Sequence, residues 1–261
     1  MGSDPIGRTG RLTGIDRSGL LSCETIHKAS YRPLASLHSL VVVKRIADST
    51  VRRLSAYLRF LEESARRGVT TISSDELAKR GGTTSAQVRK DLSFFGSFGK
   101  RGLGYGVDEL TESLRDILGL ARQWSVIIVG AGKIGTALAQ YEGFKRRGFL
   151  VTAVYDRDPQ KVGQAVSVTG EHHTVRDIAQ IERDVARDKP DIAVLTVPGE
   201  DAQGLVDRLV RAGIRAILNF APVQLRVPND VALRSVNMAM ELEGLSFALS
   251  NRSGSGLGGD R

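Results

Sequence analysis

One segment, residues 125–156, constrains the fold more than any other part of the sequence. A short β-branched run at 126–129 is followed by glycines with the spacing G-x-G-x-x-G, namely Gly130, Gly132 and Gly135. A helical pattern follows over 132–146, and a second apolar run ends at Asp156. A strand, a glycine turn, a helix and a second strand in this order predict the first unit of a parallel, doubly wound sheet.

The glycine spacing also predicts a dinucleotide site. Gly130 allows the tight turn, Gly132 lets the backbone approach a pyrophosphate, and Gly135 lets the helix pack closely on the strand. The phosphates would lie at the helix N-terminus, where free N–H groups favour negative charge. Asp156 ends the second strand, a position from which a carboxylate reaches a ribose hydroxyl. The adjacent Arg157 could suggest a 2′-phosphate, but the carboxylate would repel one. We expect NADH or NAD rather than NADP(H); a glycine-rich structural turn is the alternative.

The alternation of apolar runs and helical patterns continues along the chain. Helices are expected over 175–187 and 201–212, and strands over 192–197 and 214–219. Ligands bind at the carboxyl ends of such strands, so the loops after the last two strands are expected to line the same site, with structural turns as the alternative. The candidate cofactor-binding residues are Gly130, Gly132, Lys133, Ile134, Gly135, Asp156, Arg157, Thr196, Val197, Pro198, Asn219 and Ala221.

Residues 46–107 have the pattern of a winged helix-turn-helix domain. A long helical pattern precedes two short ones that are joined by a glycine turn. Two capping boxes, Ser73 with Glu76 and Thr84 with Gln87, are expected to open the short helices.

The distribution of charge indicates a nucleic-acid partner for this domain. The net charge is +8, and residues 79–101 contain six cations and a single acid, Asp91. The third helix and a glycine-rich segment at 96–106, the expected β-hairpin wing, carry side chains that suit bases and phosphates. These are Ser85, Gln87, Arg89, Lys90, Ser93, Lys100 and Arg101. They predict binding to double-stranded DNA; a helical packing domain with a flexible loop is the alternative.

The fold class is therefore α/β: an N-terminal winged helix, a Rossmann-like doubly wound parallel sheet, and a C-terminal helix that docks on its own domain or on a partner subunit. The expected segments are 1–45, disordered or an extension; 46–107, the winged helix; 108–124, a connecting helix; 125–236, the Rossmann domain; 237–250, the C-terminal helix; and 251–261, a disordered tail.

Cysteine and hydropathy exclude several classes of protein. The single cysteine, Cys23, excludes an internal disulfide framework and a cysteine-rich zinc site. No apolar run approaches the ~20 residues of a membrane span. A cytoplasmic protein without a membrane anchor or a metal is expected.

A catalytic proton donor is not evident, although dehydrogenases usually need one beside the nicotinamide. Of the four histidines, His172 and His173 fall in a polar stretch that is typical of a surface. A dinucleotide site without catalytic groups, joined to a DNA-binding unit, indicates a sensor rather than an enzyme. Two alternatives remain: a small NAD-dependent dehydrogenase with a basic oligomerisation domain, and a CoA- or nucleotide-binding subunit of a ligase.

Several motifs, in order along the chain, resemble the Rex family of redox-sensing transcriptional repressors. They are Gln-Val-Arg-Lys-Asp-Leu-Ser-Phe-Phe-Gly at 87–96, Gly-Leu-Gly-Tyr at 102–105, Leu-Thr-Val-Pro at 195–198 and Leu-Asn-Phe-Ala-Pro at 218–222. The resemblance implies a homodimer with an exchanged C-terminal helix. Such a dimer binds inverted-repeat operators when NADH is scarce and leaves them when NADH closes the dimer, whereas NAD competes without releasing DNA.

The resemblance also implies roles for individual residues. By position, Arg89 and Lys90 would contact DNA, the three glycines the pyrophosphate, and Asp156 the adenosine ribose. Arg59 on the first helix corresponds to a family position that links the nucleotide and DNA domains.

The sequence departs from the family pattern at its switch. There an aspartate before the exchanged helix pairs with a basic residue of the glycine loop or with a tyrosine on the next helix. Lys133 and Tyr141 occupy the latter positions, but Asn237 stands where the aspartate is expected, and Met238 replaces an aromatic residue. Asn237 cannot form an ion pair with Lys133, although a hydrogen bond to Tyr141 is possible.

Overall fold

The computed structural model describes residues 46–99 and 102–253. In this part of the chain a winged helix precedes a parallel sheet domain and a terminal helix, so the predicted α/β fold class is confirmed. The predicted extension 1–45, the wing cations Lys100 and Arg101, and residues 254–261 of the predicted tail lie outside the described residues.

The winged helix contains α1 (Asp48–Arg66), β1 (Thr71–Ile72), α2 (Ser74–Gly81), α3 (Ser85–Ser93) and β2 (Tyr105–Gly106). Apolar residues spaced three or four apart share one face of a helix, and that face of α1 forms the centre of the core. Leu54, Leu58 and Leu61 of α1 are buried against Val88 and Leu92 of α3. The packing leaves the other face of α3 at the surface.

The helix starts are mostly as predicted. Ser73 Oγ accepts a hydrogen bond from the Glu76 N–H, and the Glu76 carboxylate accepts one from the Ser73 N–H at 2.8 Å. At α3, Thr84 Oγ1 accepts from the Gln87 N–H at 3.2 Å. The second half of that predicted capping box is wrong, because the Gln87 amide donates to the buried carboxylate of Asp91 instead.

The wing differs from its predicted form. Strand β2 pairs antiparallel with β1, which precedes α2, so the prediction of a hairpin with both strands inside 96–106 is wrong. Gly104, with φ of +80°, approaches β1 so closely that a Cβ would lie 2.4 Å from the carbonyl oxygen of Ile72. This glycine permits the close approach of the loop to β1 rather than a turn between two new strands.

Helix α4 (Val107–Ile117) leads to the sheet domain and ends well before residue 124, its predicted limit. The chain turns at Gly119, where φ is +68°. The indole N–H of Trp124 donates to the carbonyl of Gly119 at 2.7 Å and joins this turn to the first strand of the sheet.

The sheet has six parallel strands in the order β10-β9-β8-β3-β4-β7. They are β3 (Trp124–Val129), β4 (Phe149–Asp156), β7 (Arg176–Asp177), β8 (Ile192–Leu195), β9 (Ala216–Asn219) and β10 (Ala232–Ser235). The strand order reverses between β3 and β8, where doubly wound sheets form their ligand crevice. Strand β10 was not predicted, because its four residues carry no apolar run. Only one of them, Leu233, is half-buried, and the other three are exposed.

Helices cover both faces of the sheet. They are α5 (Lys133–Ala139), α6 (Glu142–Arg146), α7 (Ile181–Asp188) and α8 (Gly199–Ala212). Because successive strand residues face opposite sides, Ile127 and Val129 pack with α7 and α8, whereas Val126 and Ile128 pack with α5. Both clusters are deeply buried.

The predicted single helix over 132–146 is wrong, because two helices occupy this range. Helix α5 ends at Ala139, whose carbonyl accepts a hydrogen bond from the N–H of Thr169. Tyr141 then has an extended backbone, with ψ of 100°, and precedes α6. A contact with a distant residue therefore ends a pattern that is continuous in the sequence.

The segment between β4 and α7 also differs from its prediction. A hairpin of β5 (Ala165–Val168) and β6 (Glu171–Thr174) precedes β7 and a 3₁₀ turn at Ile178–Gln180. The predicted helix over 175–187 begins only at Ile181, because Arg176 and Asp177 pair with the end of β4. His172 and His173 lie on β6, away from the crevice.

The last helix, α9 (Met238–Ser253), extends into the predicted tail and does not pack on its own domain. Its apolar residues are exposed, including Leu242, Leu245 and Phe247, of which 61–71% is accessible. Within the described residues, no helix is long and apolar enough to cross a membrane.

Candidate dinucleotide cleft and DNA interface

The glycine loop at the end of β3 is packed too tightly for larger residues at two of its three positions. A Cβ on Gly135 would lie 1.8 Å from the carbonyl oxygen of Gly130, and one on Gly130 would lie 2.6 Å from that of Thr196. A Cβ on Gly132 would have no atom within 4 Å, and its φ of −81° suits any residue. Gly132 thus leaves open space in front of the N-terminus of α5, where a phosphate would bind.

A cleft of about 1230 Å³ opens beside this loop, at the point where the strand order reverses. Eight of the predicted cofactor residues line it: Gly130, Gly132, Ile134, Asp156, Arg157, Thr196, Val197 and Pro198. Lys133, Gly135, Asn219 and Ala221 are not among the lining residues. Phe220 and Pro222 also line it, in a loop that was expected to do so, and the lining residues that were not predicted are Asp158, Pro159, Lys161, Ile178, Glu200, Asp201, Gly204, Leu205, Arg208 and Arg211.

Asp156 connects β4 to the glycine loop. Its Oδ2 accepts the N–H of Ala131 at 2.7 Å and lies 3.3 Å from Lys161 Nζ, while Oδ1 accepts the N–H of Asp158 at 2.9 Å. Burial opposes ionisation, but these donors hold the pKa of Asp156 below its usual range. The residue therefore presents a carboxylate, which can accept hydrogen bonds from ribose hydroxyls with its remaining lone pairs.

The loop after β8 lines the cleft with the three predicted residues, whereas the loop after β9 lines it with only part of the predicted segment. Asn219 is fully buried, where its amide donates to the carbonyls of Ala221 and Val223, and its carbonyl accepts the Ala221 N–H. This bonding shapes the loop so that Phe220 and Pro222 face the cleft. All four residues of 219–222 were expected beside the ligand, and the alternation of side chains along an extended segment is the signal that would have separated Phe220 and Pro222 from the other two.

Thr196 supports the glycine loop from behind. Its Oγ1 donates to the carbonyl of Gly130 at 2.7 Å. The neighbouring Val197 and Pro198 add apolar surface to the cleft. In the β8 loop, Thr196 therefore stabilises the glycine loop, whereas the two residues after it are placed to contact a ligand.

Cations on α8 extend the cleft beyond the predicted set. Arg208 and Arg211 line it, and the guanidinium of Arg208 donates to both carboxylate oxygens of Glu182. This pairing lowers the pKa of Glu182 to about 2. The sequence signal that could have indicated these two arginines was their helical spacing from the start of α8.

The candidate DNA interface lies on α3. Arg89, Lys90 and Ser93 are exposed, whereas Ser85 and Gln87 are half-buried. Arg89 donates to the Ser74 hydroxyl at 2.9 Å and forms one side of a groove between α3 and the wing loop. Two predicted DNA-contacting residues, Arg89 and Ser93, thus line one groove with Ser74, whereas Gln87 is hydrogen-bonded to Asp91 of its own helix.

A buried carboxylate, missed in the sequence, holds α3 in place. Asp91 is fully buried; Arg53 of α1 donates to both its oxygens at 2.6 and 2.7 Å, and Tyr57 and Gln87 donate at 3.1 and 2.7 Å. Burial opposes ionisation, but the Arg53, Gln87 and Tyr57 hydrogen bonds hold the pKa of Asp91 below its usual range. Burial beside this carboxylate raises the pKa of Tyr57 to about 12.

The predicted switch residues do not meet within one chain. Asn237 Oδ1 accepts the N–H of Ala239 at 3.0 Å and so caps α9 rather than bonding Tyr141. Tyr141 is exposed and packs edge-on against Phe144, with ring centroids 5.2 Å apart. Met238 is also exposed, and Lys133 begins α5.

Arg59 and Tyr141 instead line a second groove of about 650 Å³ against the other end of the sheet. Its floor and walls are mainly apolar and include Phe144, Phe149 and Leu218. Ion pairs beside it link α1 to the sheet domain: Glu62 lies 3.1 Å from Arg147, and Asp48 pairs with Arg234.

Two known families match successive parts of the chain. Residues 45–93 match a family described as putative DNA-binding protein N-terminus, and residues 121–223 match the CoA binding domain. The first match coincides with α1 to α3, and the second coincides with the sheet domain and its cleft.

Relatives named redox-sensing transcriptional repressor Rex match almost over their full length. The protein from Desulfitobacterium hafniense is 45% identical over 208 residues, which cover 80% of this chain and 97% of the relative. That from Carboxydothermus hydrogenoformans is 45% identical over 203 residues, which cover 78% and 96%.

Solved structures agree with these relatives. The structure of RSP in complex with β-NAD⁺ and operator DNA is 41% identical, with a TM-score of 0.74, over 80% of this chain and 94% of that one. The complex of RSP with β-NADH is 39% identical, with a TM-score of 0.72, over 80% and 96%. With a winged helix and a dinucleotide cleft in one chain, and relatives of this identity across both domains, the protein belongs to the Rex family of redox-sensing transcriptional repressors.

Proposed function

We propose that the protein represses transcription by binding inverted-repeat operator DNA as a homodimer and leaves the DNA when NADH occupies its cleft. The observation that carries this proposal is the match, over four fifths of the chain, to a repressor solved with both NAD⁺ and operator DNA. The dehydrogenase alternative loses its support, because relatives that match along nearly their whole length are named repressors.

NADH and NAD are the proposed ligands of the cleft. The pyrophosphate would bind before α5 in the space left by Gly132, and the adenosine ribose would hydrogen-bond to the Asp156 carboxylate. Val197, Pro198 and Phe220 provide apolar surface for the nicotinamide. An apolar surface suits the uncharged reduced ring better than the cationic oxidised ring, because burying an unpaired charge is costly.

The operator would bind along the exposed face of α3. Arg89 and Lys90 are placed to contact bases or phosphates, and Ser85, Gln87 and Ser93 would add polar contacts. The wing residues Lys100 and Arg101 are proposed to reach the phosphate backbone or the minor groove. Two such domains related by a two-fold axis would bind half-sites about 34–36 Å apart.

The dimer is proposed to form by exchange of α9. An exposed apolar helix face indicates a binding partner, and the apolar groove near Phe144 and Phe149 offers a matching surface on a second copy. Exchange would bring Asn237 and Met238 of one protomer towards Tyr141 and Arg59 of its partner, where the family switch operates.

Release would follow from rotation of the subunits. A change in the spacing of the two α3 helices lowers DNA affinity without altering any single base contact. NADH drives this change only through tighter binding to the released form; a shift from 1:99 to 99:1 needs about a 10⁴-fold preference. Because the target is chromosomal DNA, we place the protein in the cytoplasm.

The test is fluorescence-anisotropy binding to a labelled inverted-repeat operator at fixed salt, since phosphate contacts make affinity salt-dependent. We expect tight binding that NADH abolishes and NAD leaves intact. CoA serves as a control ligand, because the sheet domain matches a CoA-binding family. Binding that persists at saturating NADH would exclude the switch, and absence of DNA binding would return the dehydrogenase alternative.

A further inference from the structure

An ion pair spans the ribose end of the cleft. The Arg157 guanidinium, directly after Asp156, donates from Nη1 to Asp201 Oδ1 at 2.6 Å. Asp201 lies in the first turn of α8, so the pair joins the end of β4 to the start of this helix. Both residues line the cleft.

Two other cations that line the cleft, Lys161 and Arg208, are also engaged with acids. Lys161 Nζ lies 3.3 Å from Asp156 and 3.9 Å from Asp158. Arg208 is held by Glu182, farther along α8. The guanidinium of the residue that directly follows the ribose carboxylate is therefore already bound to an acid.

An arginine beside the ribose carboxylate is the group that accommodates the 2′-phosphate in NADP-dependent sites. Arginine suits this role because its planar fork matches a phosphate. Arg157 has that position in the sequence, which alone would favour NADP(H), whereas Asp156 next to it favours NAD(H). The contact with Asp201 resolves this conflict.

We propose that Asp201 is a specificity-determining residue that occupies Arg157 and thereby restricts the cleft to NAD(H). The inference rests on the proposed function. A 2′-phosphate would have to displace Asp201 from Arg157 and would then lie between two carboxylates, those of Asp156 and Asp201.

Repulsion, rather than the strength of the ion pair, makes the larger contribution. The Arg157 side chain is 63% exposed, and exposed pairs contribute only about 0–1 kcal/mol. Like charges placed side by side in a binding site cost more. Since Asp156 remains when Asp201 is replaced, we expect a broadened specificity rather than a reversed one.

The test compares NADH and NADPH binding to the full chain by isothermal titration calorimetry. Asp201→Asn keeps the shape of the side chain and removes its charge, so NADPH should bind about tenfold more tightly, which corresponds to 1.4 kcal/mol. NADH affinity should change by less than about threefold, because the ribose carboxylate is intact. Asp201→Ala should give the same gain if the first variant folds poorly.

Asp207→Asn is the matched control. Asp207 lies on the same helix, is exposed and is not among the residues that line the cleft, and within the described residues it forms no ion pair. This substitution removes one negative charge from α8 without releasing Arg157, so neither affinity should change. In Arg157→Ala/Asp201→Asn, the gain in NADPH affinity should be smaller, because the repulsion is removed but no guanidinium is left to bind the 2′-phosphate.

Unchanged NADPH affinity in both Asp201 variants would overturn the inference, as would an equal gain in Asp207→Asn. Failure of the wild-type protein to bind NADH would instead contradict the proposed function. The two failures are therefore distinguishable within one set of titrations.

Discussion

Two carboxylates, Asp91 in the winged helix and Asp156 in the sheet domain, are both buried and both have lowered pKa values, yet their surroundings differ. Side chains from two helices surround Asp91 completely. Asp156 is held by backbone N–H groups of adjacent loops and borders a large cleft. Saturation by side chains indicates a carboxylate that positions a helix, whereas a carboxylate with an open side indicates one that binds a ligand.

The largest effect should follow from Asp91→Ala. Removing this partner leaves the Arg53 charge without its acid, which costs about 3 kcal/mol, at the low end of the ~3–5 kcal/mol range because Arg53 is 23% exposed. The free energy of unfolding and operator affinity should fall, while NADH binding persists. Urea denaturation and anisotropy measure this. Asp75→Asn, at an exposed acid of α2, is the control; equal losses there would refute the positioning role.

A pair of alanine substitutions separates packing from ligand binding in the glycine loop. Gly135→Ala should destabilise the sheet domain, because its Cβ would clash with the Gly130 carbonyl. Gly132→Ala should fold normally but bind NADH at least about tenfold more weakly, since its Cβ enters the phosphate space. Thermal denaturation and calorimetry measure the two effects. Normal NADH affinity in folded Gly132→Ala would contradict the assigned phosphate site.

Asp156→Ala should mainly affect the ligand. Loss of hydrogen bonds to a charged acceptor costs about 1.5–3 kcal/mol, so NADH binding should weaken about 10- to 100-fold. The variant should still bind the operator, but NADH should no longer release it. Anisotropy with increasing NADH measures this. Normal release of the operator by NADH would show that Asp156 does not bind the ribose. It would also remove the proposed functional difference between Asp156 and Asp91.

Arg89→Ala should affect DNA alone. Operator affinity should fall by about 1–3 kcal/mol at fixed salt, with unchanged NADH binding. Arg66→Ala removes the same charge in the last turn of α1, at an exposed position that does not line the groove of Arg89, and should have little effect. Equal operator affinity in wild type and Arg89→Ala would exclude α3 as the recognition helix.

The smallest effect concerns pH. The folded pKa of Asp91 is lowered, so its contribution to stability is present above the unfolded pKa of about 4 and is lost as the pH falls further. The folded pKa of Tyr57 is raised to about 12, so its contribution is present below pH ~10 and is lost as the pH rises towards 12. Tyr57→Phe should cost about 1 kcal/mol at pH 7 and remove the alkaline loss. Urea denaturation at pH 3.5, 7 and 11 measures the acid and the alkaline loss of stability. An unchanged alkaline loss in Tyr57→Phe would show that a group other than Tyr57 causes it.

Local patterns predicted the features that depend on neighbours in the sequence. The capping box of Ser73 and Glu76 and the spacing of the glycines fall in this class. The role of Asp91 was missed because its partners, Arg53 and Tyr57, lie 38 and 34 residues away. The break after α5 depends on Thr169 in a distant hairpin in the same way. Contacts across long stretches of chain have no local sequence signature.

Through the exposed apolar face of α9, the number of copies of the protein would become a variable of the proposed switch. If this face is covered only by a second copy, dimerisation contributes to the stability of the folded chain. Dilution then lowers that stability. A cell that makes few molecules would hold a mixture of free chains and dimers. The occupancy of each operator would then depend on the concentration of protomers by mass action. Gene dosage would then set the NADH level at which repression ends, independently of any change in the cleft.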